Sequence, residues 1–420
     1  MRRGRVGSWH LGLGRELGYV FWAMFGVEAA FGAYIGIWPL WIEALGAPIT
    51  IVGLVLGAPG LLRLFTLAPS AALAERFEPR KLIVAARALT GLGLVTAGLA
   101  GHWTQLVPMV IGSAVGEIAF PLTQAHLARH AGEHRVRAFT LVFNVGPAVA
   151  FGLSPLIAGG LIALYGLRAA FFFAAACTFF SLFFFARFAP SHDGPELDAA
   201  EAAAAKTTYP EALREPGVRT LLALQFGTIF VLSLGISLLP TFLADQRGIS
   251  PAIVAILGGV GSIGSVLYGL FIARSGRLQA VPLVAIAFAV VFVMTTLAVS
   301  ASTTVLWLIV VAFLGRGGLW SAWGLFVAAL SETVRSDRLR PRAFTLSEMI
   351  GGTAFFSAPI LAGQLYALRP DLPLLASIVA SLALLPVLVW TQRRLRPKAP
   401  RLGVPEPAAP PPAAAREEVV

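Results

Sequence analysis

Six ionisable side chains interrupt long apolar stretches of the sequence, where a charge is costly. They are Glu28, Arg63, Arg87, Glu117, Arg316 and Glu348. A carboxyl group kept away from water binds a proton more tightly and can release it when water reaches it. An arginine keeps its charge and can hold an anionic group. These residues are therefore the first candidates for function in this chain.

Two glutamates and one arginine fall near the middle of their apolar stretches. We expect Glu28 and Glu117 to take up and release protons, and Arg316 to bind an anionic part of a substrate. Trp320 and Trp323 follow Arg316 along one helical face, where they could stack on a flat or apolar substrate or hold a cation. Further polar contacts to the substrate are expected from Gln124, Asn144 and Gln225.

Two of these arginines also allow structural alternatives. Arg63 lies at a depth that matches Glu28, so the two could form a pair that holds neighbouring helices together. Arg316 could likewise neutralise Glu117 across a cavity. Either pair could also exchange partners if the helices move.

The composition excludes a soluble protein. Hydrophobic residues make up 57% of the 420 residues and charged residues 13%, against roughly 45–50% and about 25% in soluble domains. A membrane-crossing helix needs about 20 apolar residues, and twelve segments of the chain meet that length. Their predicted limits are 18–41, 50–74, 82–101, 105–128, 138–164, 169–187, 219–243, 251–273, 281–300, 305–331, 343–366 and 374–392. The chain is therefore predicted to be an all-α integral membrane protein.

Other classes of site lack the residues they need. The single cysteine, Cys177, allows neither an intramolecular disulfide nor a cysteine metal site. The glycine pattern at 259–264 lies inside an apolar segment, so it does not predict a dinucleotide-binding loop. The spaced glycine pairs at 53/57 and 112/116 predict helix-packing faces instead. Because the sequence contains no P-loop and no metal motif, we expect neither an enzyme nor a cofactor other than the proton. We also expect the histidines, including His126, to be solvated.

The basic residues indicate orientation and not nucleic-acid binding, although the net charge is +11. Of the 32 Lys and Arg residues, 26 lie on the side of the amino terminus, 3 in the opposite loops and 3 within the segments. Cytoplasmic loops carry the excess of basic residues, so both termini are predicted to be cytoplasmic. The predicted parts are a terminal segment (1–17), a six-helix half (18–187), a cytoplasmic linker (188–218), a second half (219–392) and a disordered tail (393–420).

The two halves repeat one another in sequence. Arg137-Ala138-Phe139-Thr140-Leu141 recurs 205 positions later as Arg342-Ala343-Phe344-Thr345-Leu346. Pro39-Leu40-Trp41-Ile42 is similarly matched by Pro240-Thr241-Phe242-Leu243 at an offset of 201. Ordered matches at nearly constant offset predict two pseudo-symmetric six-helix halves in parallel orientation.

With twelve segments and a parallel repeat, the chain resembles the major facilitator superfamily of secondary transporters. The loop after the second segment is similar to the signature motif of the family, through Leu73-Ala74-Glu75-Arg76 followed by Arg80 and Lys81. The resemblance implies that Glu75, Arg76 and Arg80 form a cytoplasmic gate. We expect Arg87 and Glu348, which lie nearer the ends of their segments, to serve the same gate.

The resemblance also implies a central cavity lined by segments 1, 4, 7 and 10. The fifth segment contains Ser154-Pro155-Leu156-Ile157-Ala158-Gly159-Gly160, which is similar to the end of a motif found in proton-coupled exporters. The first expectation is thus proton-coupled efflux of a small organic solute by antiport. The alternatives are proton-coupled uptake of an organic anion or sugar-like solute, and a membrane sensor or assembly factor that transports nothing. We expect a monomer in a bacterial cytoplasmic membrane, with lipid and a small molecule as its partners and no nucleic acid.

Overall fold

A computed structural model describes residues 9–67, 77–131, 135–188, 208–334, 336 and 339–395. These residues contain helices and no strand. Twelve helical segments are long and apolar enough to cross a membrane, and we number them spans 1 to 12 in chain order. They are Arg15–Ile35, Ile49–Thr66, Pro79–Leu99, Trp103–Gln124, Arg137–Tyr165, Arg168–Phe185, Val218–Arg247, Pro251–Arg274, Pro282–Ser302, Leu306–Thr333, Arg342–Leu368 and Leu372–Arg394. The prediction of twelve spans in an all-α membrane protein is confirmed.

The bundle has two ends, which we name by the loops they carry. The terminal face holds the start of span 1, the end of span 12 and the connection between spans 6 and 7. The distal face holds the opposite loops, including two short helices, Trp38–Ala44 and Leu239–Arg247, which we call the first and second distal helices. Each distal helix has a proline in its first turn, Pro39 or Pro240, where a missing N–H costs nothing.

The halves meet along two pairs of spans. Span 2 packs against span 11, and span 5 packs against span 8. Gly53 and Gly57 bring the backbone of span 2 against the carbonyl oxygens of Pro359 and Phe356, so any larger side chain would collide there. The predicted packing role of the pair at 53/57 is confirmed, and the pair at 112/116 packs in the same way against span 3.

The distal face is closed. The segments from Ile37 to Ile42 and from Leu238 to Leu243 are buried throughout, and the two distal helices contact each other across the halves. Nearer the terminal face, spans 4, 5, 10 and 11 expose several side chains, namely Gln124, Asn144, Trp320, Thr345 and Met349. The two halves are therefore held together at the distal face by a buried contact.

The repeated Arg-Ala-Phe-Thr-Leu motif has the same task in both halves. Arg137 donates to the backbone carbonyl of Leu11, just before span 1, at 3.0 Å. Arg342 donates to the hydroxyl of Tyr209, just before span 7, at 3.4 Å and stacks on its ring. Each arginine thus fastens the chain that leads into the first span of its half.

Parts of the predicted linker and tail lie outside the described residues, namely 189–207 and 396–420. The described end of the linker is helical over Tyr209–Arg214, where Thr208 and Glu211 form a capping box. Span 3 begins at Pro79, three residues before its predicted start, because the prediction excluded the charged residues Arg80 and Lys81 from the helix.

Candidate functional site

Spans 4 and 10 are interrupted at matching places in the two halves. In span 4 the α-helix Val107–Gly116 ends at Glu117, and a new helix begins at Ala119. In span 10 the segment Leu314–Gly317 is a 3-10 helix that contains Arg316. Glu117 and Arg316 are 199 positions apart, close to the offset of the repeat. Interrupted helices at the interface of two repeats are where transporters place their binding sites.

Close backbone packing causes the interruption in span 10. Gly315 lies against the carbonyl oxygen of Phe292 in span 9, and Gly317 lies against the backbone nitrogen of Ser265 in span 8. Gly264 of span 8 in turn lies against the carbonyl of Leu314. A side chain at these glycines would push the three spans apart, so the glycines hold Arg316 at a fixed place on span 10.

Side chains of span 3 hold the interruption in span 4. Thr90 donates to the carbonyl oxygen of Gly112 at 2.7 Å, and Arg87 donates through Nη2 to that of Gly116 at 2.8 Å. Because a helix end leaves its last backbone carbonyls without intrahelical donors, the bond from Arg87 satisfies the Gly116 carbonyl that the break releases. It also places Arg87 next to Glu117.

Glu28, Arg87 and Glu117 form the charged cluster of the first half. Glu28 interacts electrostatically with both Glu117 and Arg87, and Tyr34 faces the same charges from span 1. Arg87 is buried, with 6% of its surface exposed, whereas both glutamates are partly exposed. Two carboxylates therefore face one buried arginine.

Arg87 lies deeper in its span than the sequence indicated, and its role in a cytoplasmic gate stays a prediction. Because span 3 begins at Pro79, Arg87 lies about 12 Å from one end of the helix and about 18 Å from the other at 1.5 Å per residue. Its electrostatic neighbours are Glu117, Glu28 and Tyr34. Glu348, which was expected beside it, is half-buried in the terminal part of span 11.

Arg316 stands apart from this cluster, on the facing half. It forms neither a hydrogen bond nor an ion pair with any residue that the structure describes, and the suggested pairing with Glu117 is not formed. It borders a cavity, with room for about one water molecule, between the two halves. The other lining residues are Gly36, Leu239, Pro240, Val254, Gly258 and Phe313. A guanidinium group beside a cavity with an apolar lining is suited to an anion.

A cluster of three aromatic side chains, Trp320, Trp323 and Phe355, lies on the terminal side of Arg316. The ring of Trp320 stacks on Phe355 at 5.6 Å between centroids, and that of Trp323 lies at 5.5 Å from the same phenylalanine. Trp320 is 42% exposed. The expected proximity of Arg316 and the two tryptophans on one helix is consistent with this arrangement. Sequence reasoning missed Phe355, because nothing in its own apolar span distinguishes it.

Gln225 was expected to contact substrate, but the structure uses it for packing. It is 1% exposed, accepts from the Ser347 hydroxyl at 2.8 Å and donates to the Ser347 carbonyl at 3.3 Å. Spans 7 and 11 are joined by this reciprocal pair. Gln124 and Asn144 are exposed, as a substrate contact requires, and Asn144 lies in the π-helical turn Leu141–Val145 of span 5.

The expected gate is only partly described. Glu75 and Arg76 lie outside the described residues, and so does the side chain of Arg63, so its pairing with Glu28 stays a prediction. Arg80 donates to the carbonyl oxygen of Ala186 and so joins span 3 to the end of span 6 within one half.

The expectation of a solvated His126 is wrong. Its ring is 7% exposed and lies 2.9 Å from a carboxylate oxygen of Glu16. It also stacks on His130 and on Phe188. This cluster joins spans 1 and 4 to the end of span 6 at the terminal face.

Comparison with known proteins gives one family and one fold. A family model described as "Major Facilitator Superfamily" matches residues 20–338. Among solved structures, the nucleoside transporter NupG has a TM-score of 0.71 at 13% identity, over 91% of this chain and 99% of its own. The peptide transporter POT has a TM-score of 0.68 at 14% identity, over 91% and 96%. A bacterial homolog of the human lysosomal transporter Spinster has a TM-score of 0.66 at 16% identity, over 90% and 96%. No curated protein sequence matches the chain.

Proposed function

The chain belongs to the major facilitator superfamily and is a secondary transporter and not an enzyme, and from this premise we propose that protons drive it through Glu28 and Glu117. The observation that carries the proposal is that one buried arginine, Arg87, faces both carboxylates beside the break in span 4. A carboxylate that moves away from Arg87 during the cycle can be neutralised by a proton instead.

The position of the cluster supports a role in coupling. Glu117 stands where span 4 is interrupted, and the bond from Arg87 to Gly116 ties the arginine to that interruption. A change in the break during the transport cycle would move Arg87 relative to both carboxylates. Proton binding and the alternation of the two halves would then depend on one another, which is the requirement for coupling.

Export of a small organic solute by exchange for protons is the first direction that we propose. Uptake of an organic anion together with a proton is the second, and it is favoured by Arg316, which has no partner among the described residues. Solved structures of similar fold are named for transport of nucleosides and of peptides. We further propose that the terminal face is cytoplasmic, that the membrane is the bacterial cytoplasmic membrane and that a monomer suffices, since one chain supplies both halves.

The test of coupling measures proton movement in liposomes. Purified protein is reconstituted with a pH-sensitive dye inside, and benzoate, tetraphenylphosphonium and glucose are added in turn as a flat anion, a lipophilic cation and a sugar. The proposal expects at least one of them to change the internal pH, and the sign of that change distinguishes antiport from symport. The change should disappear in Glu28→Gln and in Glu117→Gln.

A carboxylate outside the cluster provides the matched control. Asp371 pairs with Arg369 on the distal face, 2.5 Å from its guanidinium, and Asp371→Asn should keep the pH change. Solute flux without any pH change in the unmodified protein would contradict proton coupling and leave the transporter assignment in place.

A further inference from the structure

Two carboxylates from opposite halves meet at the closed distal face. Glu43 lies near the end of the first distal helix and Asp245 near the end of the second, and these helices contact each other. Glu43 and Asp245 interact electrostatically, although they carry the same charge when both are ionised. Neither residue lies within the central cluster of Glu28 and Glu117, and two like charges within electrostatic range of one another call for an explanation.

Polar groups without charge surround the pair. Thr241, which is fully buried, faces Glu43 from the second distal helix. The hydroxyl of Tyr366, on the buried distal end of span 11, donates to Asp245 at 3.4 Å. The tyrosine also lies within electrostatic range of Glu43. The Tyr366 hydroxyl thus bonds to Asp245, and a hydroxyl group can bond to a carboxyl in either protonation state.

The cations of the distal face are engaged elsewhere. Arg247 donates to the carbonyl oxygens of Ser300 and Ala301 and stacks on Phe242. Arg168 donates to the carbonyl of Ala100 and lies over a tryptophan ring. The third arginine of this face, Arg369, pairs with Asp371. Among the described residues, therefore, neither Glu43 nor Asp245 forms an ion pair.

We propose that Glu43 and Asp245 form a second proton-binding site, which locks the distal face while one of the two carboxyl groups holds a proton. Two neighbouring carboxylates without a cation cannot both be ionised at low cost. When the halves separate on the distal side, each carboxyl group enters water by itself and the proton is released to the distal medium. Asp245 is exposed and Glu43 half-buried, so water can deliver and remove that proton.

The direction of the expected pH effect follows from the change in the pKa of Glu43. Burial raises the pKa of Glu43 and the neighbouring Asp245 raises it further, against a smaller opposing effect of Thr241. A group whose pKa is higher in the closed conformation stabilises that conformation fully below its open-state pKa. The stabilisation is lost as the pH rises through the closed-state pKa. Acid should therefore close the distal face and alkali should open it.

The experiment measures the distance between the distal ends of spans 5 and 11 as a function of pH. Cys177→Ser removes the native thiol, and Tyr165→Cys with Leu368→Cys, at positions 74% and 75% exposed, supplies two sites for spin labels. Distance distributions are recorded by double electron–electron resonance in nanodiscs between about pH 5 and about pH 8. We expect the ratio of closed to open molecules to fall several-fold over that range, since a pKa shift of one unit allows up to about a tenfold change.

Neutral replacements decide between the lock and other causes of pH dependence. Glu43→Gln and Asp245→Asn each remove the repulsion between the two carboxylates, so the distal face of each variant should stay closed over the whole pH range. Asp371→Asn removes a carboxylate from the same face and should respond as the parent does. The proposal would be overturned if Glu43→Gln and Asp245→Asn both kept the full pH response, or if the parent showed no response.

Two further measurements distinguish the proton lock from a cation-binding site and from the central site. If addition of calcium closed the parent at about pH 8, the pair would be a cation site and the proton lock would be wrong. Glu28→Gln, measured with the same labels, should keep the distal pH response. The lock and the central coupling proposal can therefore fail independently, because this readout requires no transported solute.

Discussion

Arg87 is the residue on which the central site depends most, although it contacts no predicted substrate group. Its hydrogen bond to Gly116 holds the end of a helix, and its charge faces Glu28 and Glu117. Sequence reasoning identified the two glutamates and Arg316 because a charge inside an apolar segment is a strong signal. It misplaced Arg87 because the start of span 3 was set after Arg80 and Lys81, which made a mid-helix residue look terminal.

Replacement of Arg87 should therefore affect both stability and coupling. Arg87→Met keeps the apolar volume but leaves the Gly116 carbonyl without its donor, at a cost of about 2 kcal/mol. We expect a melting temperature lower by several degrees and loss of solute-driven proton movement. Arg80→Met, which removes a bond between spans 3 and 6, should lower the melting temperature and keep the coupling. Coupling retained in Arg87→Met would contradict the assigned role.

At the scale of elements, the interruptions in spans 4 and 10 and the π-helical turn in span 5 place the functional side chains. Their positions could not be predicted from the sequence, because each depends on how closely a neighbouring backbone approaches. In span 10, the glycines at 315, 317 and 318 allow that close approach. The partner of Gln225 was equally hidden, since Ser347 lies 122 positions away.

The break in span 10 can be tested through its glycines. A Cβ atom at Gly317 would collide with the backbone of span 8 at Ser265, whereas one at Gly324 would meet no atom within 4 Å. Gly317→Ala should therefore displace Arg316 and weaken binding of a flat anion such as benzoate by about tenfold or more, and Gly324→Ala should not. Calorimetric titration of both variants measures this, and equal affinities would show that the break does not position Arg316.

On the scale of the whole molecule, a closed distal face joins the two halves at one end of the bundle. The number of spans, the two halves and their repeat could be predicted, because hydrophobic length and sequence offset are local or periodic signals. The contacts that close the distal face could not be predicted from the sequence. Glu43 and Asp245 lie just beyond the apolar segments considered for charge, and only the fold brings them together.

The packing of span 2 on span 11 should set how readily the distal face opens. A side chain at Gly57 would overlap the carbonyl oxygen of Phe356 in the closed conformation. Gly57→Leu should therefore shift the labelled distances between residues 165 and 368 towards the open conformation at every pH. Gly160→Leu, in span 5 with no atom near its Cβ, is the control. Identical distance distributions for Gly57→Leu and the parent would exclude this interface as the closing contact.

The central claim is that Glu28 and Glu117 couple protons to solute movement, and one comparison tests it most directly. In liposomes, accumulation or depletion of a transported solute under a pH gradient is measured beside exchange of labelled for unlabelled solute without a gradient. We predict that Glu28→Gln and Glu117→Gln lose the gradient-driven movement by tenfold or more, about 1.4 kcal/mol, and retain exchange. If both variants still moved solute against its gradient as the parent does, the claim would be contradicted.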